Sequence, residues 1–552
     1  MIGVWARDEE RHVVAEFFQL FKTPWEFYRT GAPYDVVICS GATLENASAP
    51  LILVYGSENT PFDRNVAGKF ASHSSALLSH LGSPIPIYGS CLSFDGQTGP
   101  LHFADRPQSA SVEIRSGAQT IIRLGYDLFQ EVEHLLTNGQ PAIFAQFPTL
   151  DLHIHCLRNL IVSHGIPLVE IPPVPGGYRF IVCLTHDVDH FGIRNHRFDH
   201  TMWGFLGRAL FGSVIDFLRG KRPARQVAAN WLAALSLPAV YLGIRKDFWE
   251  QLDKYVEIEK ELKSTFFILP ESGNPGADAP DRGSRKRSAK YELAQLRHQL
   301  RTLQQAGREI GVHGIDAWLD DRKGRNELER IRAETDAPEV GVRMHWLYFS
   351  KRSPELLEKA GFSYDSTSGY NETVGYRAGT TQAFKHLNVN RLMELPMHIM
   401  DTALFFPPYM NLSPNKRSSA VDELVKNSER LGGVLTVNWH DRSIAPERLW
   451  NEFYAGLLDD LQKRPAWFAT AGDVVAWFRK RRETVFEHVS MKNGTARIQV
   501  PADPPGRDLP ALELRVHRPS PPSATKATGA SSASRVSDFV LKNSGPVEVA
   551  IR

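Results

Sequence analysis

The sequence predicts an α/β fold whose main part is a distorted seven-stranded (β/α) barrel. Seven short segments rich in β-branched and aromatic residues recur between about 180 and 440, a pattern typical of buried strands. Helical segments separate most of them. Between the second and third, leucines from Leu293 to Leu303 at three- and four-residue spacing mark one helix face. Buried strands that alternate with helices indicate a parallel sheet.

The predicted strands end on side chains that titrate or bind metals. The first, 180–184, leads directly into Asp187 and Asp189. On an extended backbone, residues two apart face the same way, so both carboxylates can converge on one point. The other six segments are 264–271, 308–313, 340–345, 361–365, 392–398 and 432–440. Because the sites of (β/α) barrels lie at the carboxyl ends of the strands, we predict one polar site there.

Proline and glycine divide the chain into parts. At 552 residues it is long enough for more than one domain. Four prolines between Pro167 and Pro175, followed by Gly176 and Gly177, indicate a linker. We therefore predict an N-terminal α/β accessory domain at 1–170 and the barrel at 178–482, with a helical insertion at 191–260. Alternating apolar residues predict a small C-terminal β-rich module at 483–552, with a flexible Ser/Pro-rich loop at 520–534.

Composition excludes some classes of protein. A net charge of +2, from 64 basic and 62 acidic residues, argues against a general nucleic-acid binder. The four cysteines form no CxxC motif, which indicates reduced thiols and a cytoplasmic protein. The first residues include acids and no apolar segment, so we expect no secretory signal. We also expect no membrane-spanning helix, since no apolar run reaches about eighteen residues.

The segment from about 179 to 482 resembles the polysaccharide deacetylase superfamily (carbohydrate esterase family 4). The motifs that carry the resemblance lie at 185–189, in its D-V-D form, and at 313–318, 375–379, 394–401 and 438–441. The resemblance implies that Asp187 is the catalytic base and that Arg377 steadies it. It further implies that His440 is the general acid and that Asp189 and His313 bind a divalent metal, with Zn²⁺ expected.

Ala317 stands where the second motif normally has its second histidine. Hydrolytic zinc sites need about three protein ligands plus an open position. His345, at the end of the next strand, and Asp316, three residues after His313, are the candidates for the third ligand. His345 is favoured because neighbouring strand ends converge and imidazole suits zinc.

Further polar side chains near the strand ends complete the predicted site. A rival metal cluster is formed by His186, His190, His196 and His200, although the polar segment around them favours an exposed turn. The residues expected to contact substrate are Asp316, Asp365, His398 and Trp439.

The function predicted from these residues is that of a metal-dependent carbohydrate N-deacetylase, a hydrolase of non-peptide C–N bonds. It would remove an acetyl or formyl group from an amino sugar in a cytoplasmic glycan or polysaccharide precursor, as in cell-envelope glycan biosynthesis. The alternatives are a hydrolase of a non-sugar C–N bond and a non-catalytic glycan-binding relative.

The insertion and a basic loop bear on partners and location. Residues 202–219 are apolar and carry Arg208 and Arg219, with Lys221 and Arg222 just beyond. A helical pair that covers the barrel is one interpretation; peripheral contact with the inner face of a membrane is the other. A basic cluster at 282–290 suits a phosphate group, so the substrate is expected to be lipid- or nucleotide-linked.

Overall fold

The computed structural model describes all residues except 41–46, 61–62, 64–69, 221, 278–286, 336, 520–534, 543 and 552. The predicted flexible loop at 520–534 and part of the basic cluster at 282–290 therefore lie outside the described residues.

The N-terminal region is an α/β unit. Its strands are β1 (Ile2–Trp5), β2 (Trp25–Phe27), β3 (Val36–Ser40), β4 (Leu51–Tyr55), β5 (Phe70–His73), β6 (Ala76–His80), β7 (Ser83–Ile87), β8 (Cys91–Phe94), β9 (His102–Phe103), β10 (Ser111–Ser116), β11 (Gln119–Leu124) and β12 (Leu168–Glu170). Six of them form a sheet in the order β10-β11-β4-β3-β1-β2, parallel apart from the β10–β11 pair. The apolar faces of α1 (Arg11–Leu20), α2 (Leu128–Thr137) and α3 (Thr149–Ser163) share a core with this sheet.

The central sheet is curled and mainly parallel. Its strands are β13 (Phe180–Val188), β14 (Ser264–Ile268), β15 (Glu309–Gly314), β16 (Val342–Met344), β17 (Tyr364–Asp365), β18 (Phe384–Lys385), β19 (Met393–Glu394), β20 (Ile399–Met400), β21 (Val434–Asn438) and β22 (Ala466–Phe468). The order is β18-β19-β17-β16-β15-β14-β13-β21-β20, and β22 also pairs with β13. Only β18 and β19 run antiparallel among these pairs.

The strand count corrects the sequence-based prediction. Each of the seven predicted segments overlaps a strand, but the sheet has ten strands and forms a half-barrel. The additional strands β18, β20 and β22 are two or three residues long. Strands this short are hard to detect from an apolar pattern, and the equally short β17 and β19 were found because longer predicted segments contain them.

The insertion after β13 forms a helical hairpin. Its first arm consists of α4 (His200–Leu206), a π-helical stretch (Gly207–Gly212) and α5 (Ser213–Leu218), and its second arm is α6 (Ala224–Tyr241). The inner faces of the arms bury a small core around Phe205 and Trp249. In the described part of the chain, no helix has the length and apolar character needed to cross a bilayer.

The remaining helices pack on the central sheet. They are α7 (Leu252–Glu259), α8 (Leu293–Gln305), α9 (Asp321–Thr335), α10 (Ser353–Ala360), α11 (Asp401–Phe405), α12 (Pro414–Leu431), α13 (Asn451–Gln462) and α14 (Ala471–Glu483). On α8 the predicted leucine face is buried at Leu296, Leu300 and Leu303. This face shares the main core with strand residues such as Phe266 and Val312.

The C-terminal residues form two small sheets from β23 (Val485–Ser490), β24 (Thr495–Val500), β25 (Leu512–Arg518), β26 (Arg535–Leu541) and β27 (Gly545–Ala550). One has the order β23-β24-β27 and the other β12-β25-β26. Strand β12 thus joins the C-terminal module, and its Glu170 lies 2.8 Å from Arg158 and 2.9 Å from His517. Strand pairing and these contacts of Glu170 therefore link the N-terminal region to the C-terminal region.

Candidate active site

Three potential metal ligands converge at the carboxyl edge of the central sheet. Asp189 follows β13, His313 lies on β15 and His345 follows β16. Their ligand atoms all lie within 4.8 Å of one another. Nε2 of His313 is 3.2 Å and Nε2 of His345 is 3.5 Å from Oδ1 of Asp189. Parallel strands bring these three side chains together although 156 positions separate the first from the last.

The hydrogen bonds and charge states of this cluster suit a cation. Nδ1 of His313 donates to the carbonyl of Arg343 at 2.9 Å, which directs Nε2 toward Asp189. Burial lowers the pKa of His345 to about 3. Burial opposes ionisation of Asp189, but His345 and His313 hold its pKa well below the usual value.

Two buried atoms of the cluster lack hydrogen-bond partners among the described residues: Oδ1 of Asp189 and Nδ1 of His345. A buried polar atom without a partner is costly. Two imidazoles and a carboxylate are the donor set of a hydrolytic zinc site with one open position. The residues present therefore fit a divalent metal of this kind.

Asp187 lies on β13 beside the cluster. Nη1 of Arg343 donates to its Oδ1 at 3.0 Å, and Nδ2 of Asn438 donates to its Oδ2 at 2.8 Å. Burial would raise the pKa of Asp187, but Arg343 and the imidazoles of His313 and His440 outweigh it and lower that pKa. Asp187 is thus an ionised, oriented carboxylate, with Oδ2 3.9 Å from Nε2 of His313.

The role predicted for Arg377, that it steadies Asp187, is wrong. Arg377 donates to the carbonyls of Gln140 at 2.8 Å and Asn138 at 2.9 Å, so it joins the loop before β18 to the N-terminal region. The residue that contacts Asp187 is Arg343. The residues at 375–379 resemble the family motif, but their loop packs against the N-terminal region. There the Tyr376 amide donates to the Ala145 carbonyl at 2.8 Å.

His440 follows β21 and faces the two aspartates. Its Nδ1 donates to Asp401 at 2.6 Å, and its backbone amide donates to the same carboxylate at 2.7 Å. Its Nε2 lies 4.0 Å from Asp187 and 3.9 Å from Asp189. Burial lowers the pKa of His440, but Asp401 more than compensates and the pKa rises to about 9. The imidazole is therefore a proton donor at neutral pH, with Asp401 fixing its orientation.

Two of the predicted substrate contacts are buried away from the cluster. Asp316 accepts hydrogen bonds from Lys323 at 2.7 Å and from the Ala277 amide at 2.8 Å, so the structure also removes it as third ligand. Asp365 is fully buried beside Glu394, and burial together with that carboxylate raises its pKa well above the usual value.

The other two predicted contacts also face the interior. His398 accepts from the Thr436 amide at 3.1 Å and lies 3.2 Å from the Thr380 carbonyl. Trp439 is fully buried and stacks on Tyr454. Side chains alternate along an extended backbone, so the residue before His440 points to the opposite side.

In the part of the chain that the structure describes, the histidines on and after β13 form no group of three metal ligands. Nε2 of His186 bonds to Glu259 at 2.6 Å and its Nδ1 to the Trp439 carbonyl at 2.8 Å. His196 bonds to Asp199 at 2.8 Å. Among the described residues, Asp189, His313 and His345 are the only group of three or more potential ligands whose ligand atoms lie within 4.8 Å of one another.

A cavity of about 690 Å³ opens above the cluster. Its walls add aromatic, amide and charged side chains to the groups already described: His190, Trp346, Leu347, Asn371, Glu372, Met400, Thr402, Phe406, Tyr409, Asp441, Arg442 and Arg448. Trp346 and Leu347 have φ values of 62° and 55°, in the left-handed region. Such backbone is unfavourable for these residue types and is held only where the surrounding structure enforces it, often at functional sites.

Sequence reasoning missed Arg343, Asn438 and Asp401. Arg343 lies two residues before His345, and Asn438 lies two residues before His440. The two-residue repeat of a strand places such pairs on one face, a signal that would have found both. Asp401 ends the segment 394–401, but nothing local to that segment connects it with His440.

Comparison with known proteins gives the following likenesses. No family model matches the sequence, and no curated protein matches it either. A proposed polysaccharide deacetylase from Mycobacterium smegmatis is 18% identical, with a TM-score of 0.34, and the match covers 56% of this chain and 95% of that one. The allantoinase Puue is 15% identical, with a TM-score of 0.32, over 55% and 92% of the two chains. Agd3, described as a carbohydrate deacetylase, is 8% identical, with a TM-score of 0.33, over 99% of both chains.

Solved structures similar to this chain thus include polysaccharide and carbohydrate deacetylases, the family that the sequence motifs resemble.

Proposed function

We propose that the protein is a metal-dependent hydrolase that removes an N-acyl group, acetyl or formyl, from an amino sugar. The observation that carries the proposal is Asp187, an oriented carboxylate 3.9 Å from one imidazole of a three-ligand cluster. A protonated histidine on the same cavity supplies the complementary acid. Base, cluster and acid together are what amide hydrolysis requires.

The proposed ligands are Asp189, His313 and His345. A bound divalent ion, which we propose to be Zn²⁺, would act as a Lewis acid toward the acyl carbonyl and the attacking water. The hydrogen bond from Nδ1 of His313 to a carbonyl orients that ring for ligation through Nε2.

Asp187 is the proposed general base. It takes one proton of the attacking water as the water oxygen bonds to the acyl carbon. Arg343 and Asn438 hold its two oxygens, which restricts rotation of the carboxylate and keeps it ionised. Positioned bases of this kind contribute about 10²–10⁴-fold to turnover.

His440 is the proposed general acid. When the acyl C–N bond breaks, its Nε2 proton passes to the leaving nitrogen, and the products are a carboxylate and a free amino sugar. Asp401 fixes the ring through Nδ1 and stabilises the imidazolium before transfer.

The cavity walls support a sugar substrate with an anionic substituent. Trp346, Phe406 and Tyr409 offer aromatic surface for a pyranose ring. Arg442 and Arg448 lie on the same cavity and suit a phosphate of a lipid- or nucleotide-linked sugar. We propose a cytoplasmic glycan or polysaccharide precursor, since all four cysteines are unpaired thiols, as is typical of a reducing compartment.

Metal analysis of the purified protein, paired with acetate and formate release from N-acyl sugar nucleotides and polyprenyl-linked sugars, tests the proposal. We expect a stoichiometric divalent metal and release of one acid, with release abolished in Asp187→Asn but metal retained. A stoichiometric metal without release of acetate or formate from any sugar tested would contradict the proposed deacylase activity. Release from ureides instead would assign hydrolysis of a non-sugar C–N bond.

A further inference from the structure

The outer face of the helical hairpin is unusually apolar. Of the 21 large hydrophobic side chains that are exposed in the described residues, 11 lie within 198–244. They are Phe198, Trp203, Phe211, Ile215, Phe217, Leu218, Trp231, Leu232, Leu235, Leu242 and Ile244. Single exposed apolar residues are normal, but a concentration on one element marks a binding surface.

The spacing on α6 shows that this exposure is a continuous face. Trp231, Leu232 and Leu235 are exposed at three- and four-residue intervals, and Leu242 continues the row beyond the helix. The opposite face, with Ala234 and Leu237 among its members, is buried in the core of the hairpin. A surface helix that packs on a core by one face normally presents polar residues on the other. The hairpin is instead apolar on both faces.

Basic residues outnumber acidic ones along the segment that carries this face. Residues 200–246 contain seven lysines and arginines and a single acid, Asp216. Exposed Arg219 follows exposed Leu218 between the arms, and exposed Arg245 follows exposed Ile244 beyond the other end of α6. Apolar and tryptophan side chains flanked by arginine match the boundary of an anionic bilayer, to which basic residues are attracted.

We propose that the outer face of the hairpin binds the surface of an anionic phospholipid bilayer. The excess of basic residues favours lipid over a second copy of the chain, because two such faces would repel each other. The contact is peripheral, with the helices lying along the surface.

The hairpin also packs against the wall of the active-site cavity. Arg222 donates to the Glu447 carbonyl at 3.2 Å, and Nε1 of Trp249 donates to the Glu447 carboxylate at 3.2 Å. Arg448, the next residue, lines the cavity. Bilayer contact would therefore bring the cavity near the membrane surface. If the proposed function holds, this placement selects a lipid-linked amino sugar over a soluble nucleotide sugar.

Cosedimentation with phosphatidylcholine vesicles, with and without phosphatidylglycerol, tests the proposal independently of any activity. We expect binding to the anionic vesicles at low salt and weaker binding at high salt, because exposed charges are screened over about 8 Å at physiological ionic strength. Leu232→Asp/Leu235→Asp should lower the bound fraction about tenfold or more, since it removes apolar contact and adds repulsion. The two leucines are 64% and 74% exposed, so the variant should fold normally.

The matched control is Ile143→Asp, at an 82% exposed isoleucine of the N-terminal region, which should bind vesicles like the original protein. Absence of binding to anionic vesicles at low salt would overturn the proposal, as would equal loss in both variants. A dimer that Leu232→Asp/Leu235→Asp dissociates, without vesicle binding, would assign the face to a second copy. None of these outcomes depends on whether the protein releases acetate or formate. Failure of this proposal can therefore be distinguished from failure of the proposed function.

Discussion

Replacing Arg343 should impair the proposed base, whereas replacing Arg377 should not. Arg343 is fully buried and bonds to Asp187 at 3.0 Å, while its other nitrogens bond to Ser366. The guanidinium of Arg377 bonds to two backbone carbonyls of the N-terminal region and lies over the ring of Tyr370, so none of its described contacts is with Asp187. The pair therefore compares two arginines of which one alone touches the candidate site.

The magnitude follows from the charge that Asp187 would lose. Two unit charges about 4 Å apart attract by about 4 kcal/mol at an effective dielectric of about 20. Since 1.36 kcal/mol corresponds to about one pH unit, this sets an upper limit of about three pH units. Arg343 lowers the pKa of Asp187, so its removal raises that pKa, and the acidic limb of the pH–rate profile moves to higher pH.

The assay is the pH dependence of kcat/KM for acid release by Arg343→Lys, Arg343→Gln and Arg377→Gln. We expect the acidic limb to move to higher pH by up to about three units in Arg343→Gln, by less in Arg343→Lys, and not at all in Arg377→Gln. Metal content and thermal unfolding identify variants that fail to fold, because breaking a buried ion pair costs about 3–5 kcal/mol. An unchanged acidic limb in folded Arg343 variants, or a shift in Arg377→Gln, would refute the reasoning.

Three further predictions concern the same site. His345→Ala should reduce bound metal well below one per chain, by atomic absorption, while Asp316→Ala retains it; the reverse result would restore Asp316 as third ligand. Asp187→Asn should keep metal and fold but lose about 10²–10⁴-fold in turnover, since an amide cannot accept the proton, and near-normal turnover would make Asp187 structural. Asp401→Asn removes the carboxylate that raises the pKa of His440 to about 9, so the alkaline limb of the pH–rate profile should move to lower pH, and an unmoved limb would separate His440 from the proton transfer.

Sequence patterns predicted strand ends better than side-chain partners. The seven predicted segments lie in the sheet because a buried parallel strand needs a run of apolar residues that is visible in one sequence. The convergence of His313 and His345 followed from the same reasoning, since β15 and β16 are adjacent parallel strands that end at one edge. Asp365, His398 and Trp439 also lie near strand ends, but their side chains face the interior. Proximity to the edge does not fix which face a residue occupies.

Arg377 shows the limit of a local motif. The five residues at 375–379 are similar to the family pattern, but hydrogen bonds to residues more than 200 positions earlier determine where their loop lies. Asp401 was missed for the same reason, because its role depends on a contact with a residue 39 positions away. Long-range packing, which a single sequence does not display, decides both cases.

The alanine at position 317, where the resemblance led us to expect a histidine, has a steric explanation in the packing of helix α9. Ala317 is fully buried. A Cβ atom added to Gly324 of α9 would lie 3.1 Å from the Cβ of Ala317. Helix α9 therefore packs directly on Ala317 and leaves no space for an imidazole. His345, on the neighbouring strand end, brings a ring nitrogen to 3.5 Å from Asp189 instead. Alanine at position 317 therefore suits the close packing of α9, and the proposed third ligand follows β16 instead.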